Sequence, residues 1–386
     1  MQYSELPSPC YVVDEALVEQ NLKVLKGVMD RTGVKILLAQ KAFSMYAIYP
    51  LIGEYLSGAT ASGLYEARLG YEKLQIPLSM KGKICENHVY SPAFRCEEFD
   101  EILSYVDHIV FNSFSQVDKF AKKALSCGKA TGLRINPECS TQKGPAIYDP
   151  CAPNSRLGVD LHTFKKEYAH RMHLLNGIHF HTLCEQDADD LERTLDVVEE
   201  KFGEWLTNFK WINFGGGQLI TKPGYDMKRL ESCIYRMQKK YGLTVYLEPG
   251  EAVALNAGHL ISTVLEIQNG DRNIAILDTS AACHMPDVLE MPYRPRVQNS
   301  GKDGERPYVY RLAGSTCLAG DVIGDYSFGQ PLKEGDRVIF EDMAIYTMVK
   351  NNTFNGIPLP AIVLKEKNEK YKILKTFTYQ DFESRL

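Results

Sequence analysis

The feature that most constrains this chain is a rhythm. A short apolar run recurs eight times between Val34 and Leu247, with amphipathic stretches in most of the gaps between. The runs are Val34–Ala39, Ala59–Ala61, Gly82–Cys85, His108–Phe111, Gly132–Asn136, Gly177–Phe180, Trp211–Phe214 and Thr244–Leu247. Ala188–Phe202 and Asp226–Lys240 show the intervening pattern, apolar residues at helical spacing with acids and bases opposite. An unbroken βα series of this length predicts a (β/α)8 TIM barrel, with an open doubly wound sheet as the competing arrangement. After Gly258 the texture changes. His259–Ile267, Asn273–Leu277, Tyr308–Leu312, Arg337–Phe340 and Tyr371–Phe377 read as strands without long helices, broken by Gly, Pro and Asn. That is the pattern of a β sandwich or small barrel. The expectation is an α/β chain: a barrel over residues 15–257, then a mainly β domain over 258–386. Cys10–Val13 precedes the barrel count, so segment 1–14 is expected to join the β domain. Pro137–Asp160, rich in Pro, Ser, Cys and Gly, reads as a long loop of the kind that often carries function.

Composition narrows the partners. Lys plus Arg number 44 against 49 acids, a net charge of −5 that argues against nucleic acid, whose binders carry a basic footprint. No apolar run approaches the roughly 20 residues of a membrane span, and the opening MQYSELPSPC has no signal-peptide core. A soluble cytoplasmic protein is expected. Ten cysteines without a CxxC pair fit reduced thiols, and the histidines and cysteines lack the paired spacing of a metal site.

A barrel of this kind places its chemistry at the C-terminal ends of its strands. Read in order, those ends carry Lys41, Ser62, Arg134, His181, Gly215–Gly217 and Glu248. Each has an ordinary alternative. A lysine past a strand is commonly a surface lysine, but in LLAQKAF the apolar setting lowers an amine pKa, which suits a nucleophile. Three successive glycines make a flexible loop or a cradle for an anion, and the loop after strand seven favours phosphate. In Glu248-Pro249-Gly250 the last two residues suit a turn, and the carboxylate can hold a pyridine nitrogen protonated. His181 suits the core or a ring stacked on a cofactor. Cys317, in GSTCLAGD, has a polar, glycine-rich setting that suggests a reachable thiol. A lysine, a phosphate cradle and a pyridine-directed acid together specify pyridoxal 5′-phosphate.

The series LLAQKAF, ATASGLYE, LRINP, HFHTLCEQ, NFGGG, LEPGE, GSTCLAGD, AIYT and NTFNG resembles the alanine-racemase-fold (fold type III) pyridoxal-dependent decarboxylases over nearly the whole chain. Within them it resembles the branch acting on carboxynorspermidine and carboxyspermidine. The resemblance implies a cofactor-binding (β/α)8 barrel followed by a β domain, in homodimers with shared active sites. It makes Lys41 the Schiff-base lysine, Glu248 the acid on the pyridine nitrogen and His181 the stacking ring. It assigns Gly215, Gly216, Gly217 and Tyr346 to the phosphate, Arg134 to the region of the 3′ oxygen and Glu66 to support of the site. Gly250, in the turn after Glu248, and Cys184, where several relatives place a serine, complete the cofactor set. Cys317 is implied as the second subunit's contribution, with Phe354 beside the site.

The departures bear on substrate. Glu251 stands where ornithine- and diaminopimelate-type relatives carry arginine; a carboxylate there attracts a cation and repels a distal carboxylate. Leu318 follows the cysteine where ornithine-type relatives carry an acid. Asp287 is the further candidate for a substrate amine, with an ordinary surface acid as its alternative. The expected activity is decarboxylation of a cationic carboxylated triamine, carboxynorspermidine or carboxyspermidine, with Cys317 protonating Cα. Diaminopimelate, ornithine, lysine or arginine decarboxylation, racemisation, or a non-catalytic binding role are the alternatives.

Overall fold

The computed structural model describes residues 5–142 and 146–386. Segments 1–4 and 143–145, parts of the expected first strand region and of the Pro137–Asp160 loop, lie outside the described residues. The chain divides into two units. One takes the chain up to Gln20, a short piece Ala42–Ser44, and Ala254–Leu386; the other takes Asn21–Lys41 and Met45–Val253.

Strands are numbered from β1 (Cys10–Asp14). The barrel unit holds β2 (Lys35–Ala39), β3 (Gly58–Ala61), β4 (Glu86–Tyr90), β5 (His108–Phe111), β6 (Ala130–Arg134), β7 (Gly177–His179), β8 (Trp211–Asn213) and β9 (Thr244–Leu247). Each pairs in parallel with the next, and β9 returns to β2 through Lys35↔Tyr246 and Ile36↔Leu247, closing the barrel. Helices fill the gaps. Asp226 caps Met227–Tyr241 by accepting from the Arg229 amide, and Gly242 ends that helix at φ 70°, where a glycine carries no Cβ penalty.

The interior is filled unevenly. The Trp211 indole lies where side chains of its neighbours would stand: a Cβ on Gly132 or Gly177 would approach it to 2.3 or 2.0 Å. Leu37, Val110 and Tyr246 pack around that indole. Below them the filling is polar. Lys35 holds the Glu86 carboxylate, His88 Nε2 lies 3.0 Å from Glu86 Oε2, and the His88 and His108 rings stack at 4.0 Å. Glu86, His88 and His108 have ligand atoms within 4.8 Å of one another. Their geometry does not suit a metal as it stands. Imidazoles only 11° from parallel send their lone pairs side by side instead of converging, and the Lys35 ammonium already neutralises the acid.

This filling explains one correction. The fourth strand, expected at Gly82–Cys85, is Glu86–Tyr90. Glu86, His88 and Tyr90 share one face of it and Asn87 bonds outward to the Ala67 and Tyr105 carbonyls, so no apolar alternation marks it.

The second unit is a nine-stranded sheet, among the described residues, in the order β12-β14-β13-β11-β10-β1-β16-β17 with β15 also paired to β10. Its strands are β10 (Gly258–Gln268), β11 (Asn273–Leu277), β12 (Ser300–Gly301), β13 (Tyr308–Ala313), β14 (Val322–Phe328), β15 (Arg337–Glu341), β16 (Ala361–Lys365) and β17 (Tyr371–Lys375). β12, β14 and β16 were not anticipated; β12 is only two residues long, and Gly324 and Asp325 interrupt the apolar pattern of β14. β1 lies between β10 and β16, antiparallel to one and parallel to the other. Tyr11 joins one apolar cluster with Leu260 and Phe340, while Cys10 and Val12 join another with Ile261 and Val363. Burial on both faces is why CYVV reads as a continuous apolar run. No helix among the described residues is long and apolar enough to cross a membrane.

Candidate active site

The C-terminal ends of the barrel strands surround a cavity of about 630 Å3, lined among others by Lys41, Tyr90, Arg134, His181, Gly216 and Glu248. Lys41 follows β2 and lines the cavity, accessible through it while protein atoms crowd around its side chain. Burial lowers its ammonium pKa, and the Arg134 guanidinium adds to the effect, so more of the amine is free than at an ordinary lysine. Glu66 accepts a 2.6 Å bond from the Ser62 amide, and Lys41 is close enough to act on its charge.

Arg134 ends β6 with its guanidinium 4.6 Å from the centre of the Tyr90 ring; Nη2 donates to the His181 carbonyl at 3.0 Å while Nε has no partner. The Tyr90 hydroxyl donates to Asn112 Oδ1 at 2.7 Å, and the same oxygen accepts from the Gly158 amide, tying the strand to the long loop. His181 Nδ1 accepts from the Gly216 amide at 2.7 Å. That bond leaves the imidazole proton to Nε2, and burial, with Lys41 and Arg134 nearby, holds the ring neutral.

Glu248, one residue past β9, has a carboxylate about a tenth exposed. Asn213 Nδ2 donates to it at 2.8 Å, and His179 Nε2 stands 3.5 Å away. Burial alone would raise this carboxyl; His179 and then Asn213 bring it down instead, to about 2. Burial lowers the His179 pKa against the pull of the Glu248 charge, and its ring nitrogens lack aligned partners, so the Asn213 bond is the well-formed one. Gly250 is buried in the following turn, and Glu251 starts the next helical turn, near enough for its charge to act on Lys41. Cys184 likewise acts on Lys41, and its amide faces Gln186 Oε1 at 3.4 Å.

The glycine loop is more committed than a free anion cradle. The Gly215 amide donates to Asn213 Oδ1 at 2.8 Å and the Gly216 amide to His181. Among the described residues, the Gly217 amide is left without an acceptor. A Cβ on Gly215 would lie 2.6 Å from His181, one on Gly216 2.3 Å from the Glu248 carbonyl, and one on Gly217 2.0 Å from the Leu183 carbonyl, so all three positions need glycine for space. Gln218, next in the chain, is buried with both amide atoms unpartnered.

The remaining candidates belong to the sheet unit. Cys317 is exposed, with its amide bonded to Asn355 Oδ1 at 2.8 Å, and Phe354 beside that asparagine is 47% exposed. Tyr346 donates its amide to the Ala42 carbonyl at 2.8 Å and holds φ at 54°, a left-handed conformation that non-glycine residues seldom adopt. Asp287 is paired with Lys350, as is Glu290 at 2.6 Å. An acid already holding an internal ammonium is a poor collector of a substrate amine.

A family model described as pyridoxal-dependent decarboxylase, C-terminal sheet domain, matches residues 10–344. The chain belongs to the pyridoxal-dependent decarboxylases. A carboxynorspermidine/carboxyspermidine decarboxylase of Campylobacter jejuni is 41% identical over the whole of both chains. A carboxyaminopropylagmatine decarboxylase of Synechocystis is also 41% identical, covering 99% of this chain and 96% of that one. The crystal structure of carboxynorspermidine decarboxylase from C. jejuni complexed with norspermidine superposes on this decarboxylase with a TM-score of 0.89, at 40% identity, covering 99% and 100% of the two chains. A diaminopimelate decarboxylase of Helicobacter pylori shares the fold at TM-score 0.83 and 17% identity.

Three residues of this decarboxylase's cavity region escaped sequence reasoning: Asn213, Tyr90 and His179, the last weighed only as a weak metal ligand. Their signal was present in the strand alternation. Each occupies an inward position of a barrel strand near its C-terminal end, where a polar residue has few reasons to be.

Proposed function

We propose that this enzyme binds pyridoxal 5′-phosphate at the barrel mouth and decarboxylates a carboxylated polyamine, carboxynorspermidine or carboxyspermidine. The observation that carries the reading is the convergence of Lys41, Glu248, His181 and the glycine loop on one cavity. The residues fit the cofactor. Arg134 Nε and Gln218 Nε2 are buried donors without partners, and the Gly217 amide is open, donors of the kind an oxyanion satisfies. Bound there, the cofactor supplies an electron sink for the bond to the departing carboxylate.

The chain's own residues supply the rest. Lys41, with its lowered pKa, offers an unprotonated amine to the cofactor's aldehyde. Glu248, ionised, holds a proton on a ring nitrogen placed against it. His181, neutral and locked by Gly216, presents a flat face for stacking. Loss of CO2 leaves Cα one proton short. The Cys317 thiol of a second copy gives that proton and recovers it from solvent, so the enzyme works as a homodimer with shared sites. Tyr346 supports the phosphate and Phe354 borders the substrate. Glu251, whose charge reaches Lys41, and Asp149, which lines the cavity, meet the substrate's cationic nitrogens.

The relative from Synechocystis favours a second reading, carboxyaminopropylagmatine, which carries a guanidine where the triamines carry an amine. One experiment separates them. The cofactor-loaded enzyme is given an equimolar mixture of carboxynorspermidine, carboxyspermidine, carboxyaminopropylagmatine, diaminopimelate and ornithine, and products are weighed by mass spectrometry. CO2 loss from the first two is expected. Exclusive turnover of the guanidine compound moves the substrate to the second reading, and turnover of diaminopimelate or ornithine sinks both. Glu251→Gln should raise KM for the triamine several-fold, about the weight of one partly solvated charge pair, with cofactor binding unchanged.

A further inference from the structure

Asn213 ends β8 completely buried, and its side chain meets two groups of opposite character. Nδ2 donates to Glu248 Oε1 at 2.8 Å, and Oδ1 accepts from the Gly215 amide at 2.8 Å. The Glu248 amide in turn donates to the Gly215 carbonyl at 2.8 Å, so the two strand ends are laced by backbone and by this one side chain. Chemistry fixes the amide's orientation, since an ionised carboxylate only accepts and a backbone N–H only donates. Serine is too short to span the pair. Aspartate matches the shape and fails in charge: it would set an oxygen 2.8 Å from another carboxylate oxygen, and one of the two would have to take up a proton.

We propose that Asn213 is a positioning residue of the reaction, holding the Glu248 carboxylate ionised and aimed into the cavity and joining it to the glycine loop. The inference rests on the reading of Glu248 as the acid at the cofactor's ring nitrogen. Other groups face Glu248 without replacing Asn213. His179 from β7 stands 3.5 Å away without hydrogen-bond alignment, and His88 from β4, Arg134 from β6 and Lys41 past β2 act on it by charge or dipole. With the amide present, Glu248 has a donor at every pH at which the protein is folded. With aspartate there, the pair shares a proton and the ring nitrogen loses its counter-charge.

The test compares Asn213→Asp, Glu248→Gln and the double variant, each as the full chain loaded with pyridoxal phosphate. Steady-state rates are measured beside the absorbance of the bound cofactor between about pH 5 and about pH 9, the range in which a shared carboxylate proton titrates. Asn213→Asp should lower kcat roughly 10- to 100-fold, the weight of one hydrogen bond to a charged group, leave KM nearly unchanged and add a pH-dependent change in absorbance absent from the wild type. In the double variant the introduced glutamine amide can donate to the introduced aspartate, so its kcat should not fall below that of Glu248→Gln alone. Wild-type kcat and absorbance in Asn213→Asp overturn the proposal, as do losses that simply multiply in the double variant. A fall in melting temperature with kcat and absorbance unchanged also overturns it. If Asn213→Asp does not fold, Asn213→Ala adds no charge and should still lower kcat at constant KM; unchanged kcat there is equally fatal. Should Glu248→Gln itself match the wild type in rate and absorbance, the reading of Glu248 fails and the assignment of Asn213 falls with it, a result separate from the others.

Discussion

A carboxylate that keeps its charge beneath the surface is a statement about stability as well as chemistry. Glu248 has a folded-state pKa of about 2 against an ordinary 4.5. A group depressed in this way stabilises the folded chain fully above its unfolded pKa and loses that contribution as pH falls toward the folded one. The difference in unfolding free energy between the wild type and Glu248→Gln should therefore be flat above about pH 5 and should shrink by as much as ~3 kcal/mol toward pH 2. Urea unfolding at a series of pH values reads it directly; a difference that grows on acidification would mean that Glu248 is protonated in the folded protein. At Lys41 the sign is opposite. Its lowered pKa means that charging the amine opposes folding, and Lys41→Met should be at least as stable as the wild type at neutral pH while losing decarboxylation altogether.

Among the elements, the packing of β6, β7 and β8 is set by one indole. Gly177→Ala would put a methyl 2.0 Å from Trp211, beyond what a rotamer change can relieve, and should cost roughly 1–3 kcal/mol or more in denaturant unfolding. Adding Trp211→Leu should recover part of the loss; a double variant no more stable than Gly177→Ala would show that the backbone, not the ring, sets the limit. The same interior explains what could be read in advance. His108–Phe111 and Thr244–Leu247 have the boundaries that their apolar pattern indicates, and β1 was legible as part of the sheet because both its faces are buried. β4 was not, because Glu86, His88 and Tyr90 place polar atoms where a barrel strand ordinarily offers apolar ones. The candidate site was legible to the extent that it sits just past strand ends, where Lys41, His181, the glycines and Glu248 stand out against turn chemistry. Asn213 and Tyr90 lie within the strands, where an inward polar residue is itself a signal, but the role of the amide or phenol shows only once its partners are seen.

At the scale of the whole molecule, the proposal that two copies share their sites has a consequence in mixtures. Lys41→Ala and Cys317→Ala should each be nearly inactive alone. Unfolded together and refolded, or co-expressed, they should regain up to about a quarter of wild-type activity: random pairing makes half the dimers mixed, and each mixed dimer has one site with both groups intact. No recovery, in mixtures shown by mass to contain the mixed dimer, would place both groups in one subunit's site. The sheet also carries a demand of timing. Its strand β1 is made first, yet its neighbours are β10 and β16, with Cys10 opposite Ile261 and Ala361. On a ribosome this apolar strand emerges with no partner and must stay unpaired while more than two hundred residues of barrel are made, exposing a backbone edge suited to pairing with another chain. A nascent chain halted before β16 would hold that edge half covered, so the stretch of synthesis between the first strand and the last is where the edge is open to mispairing.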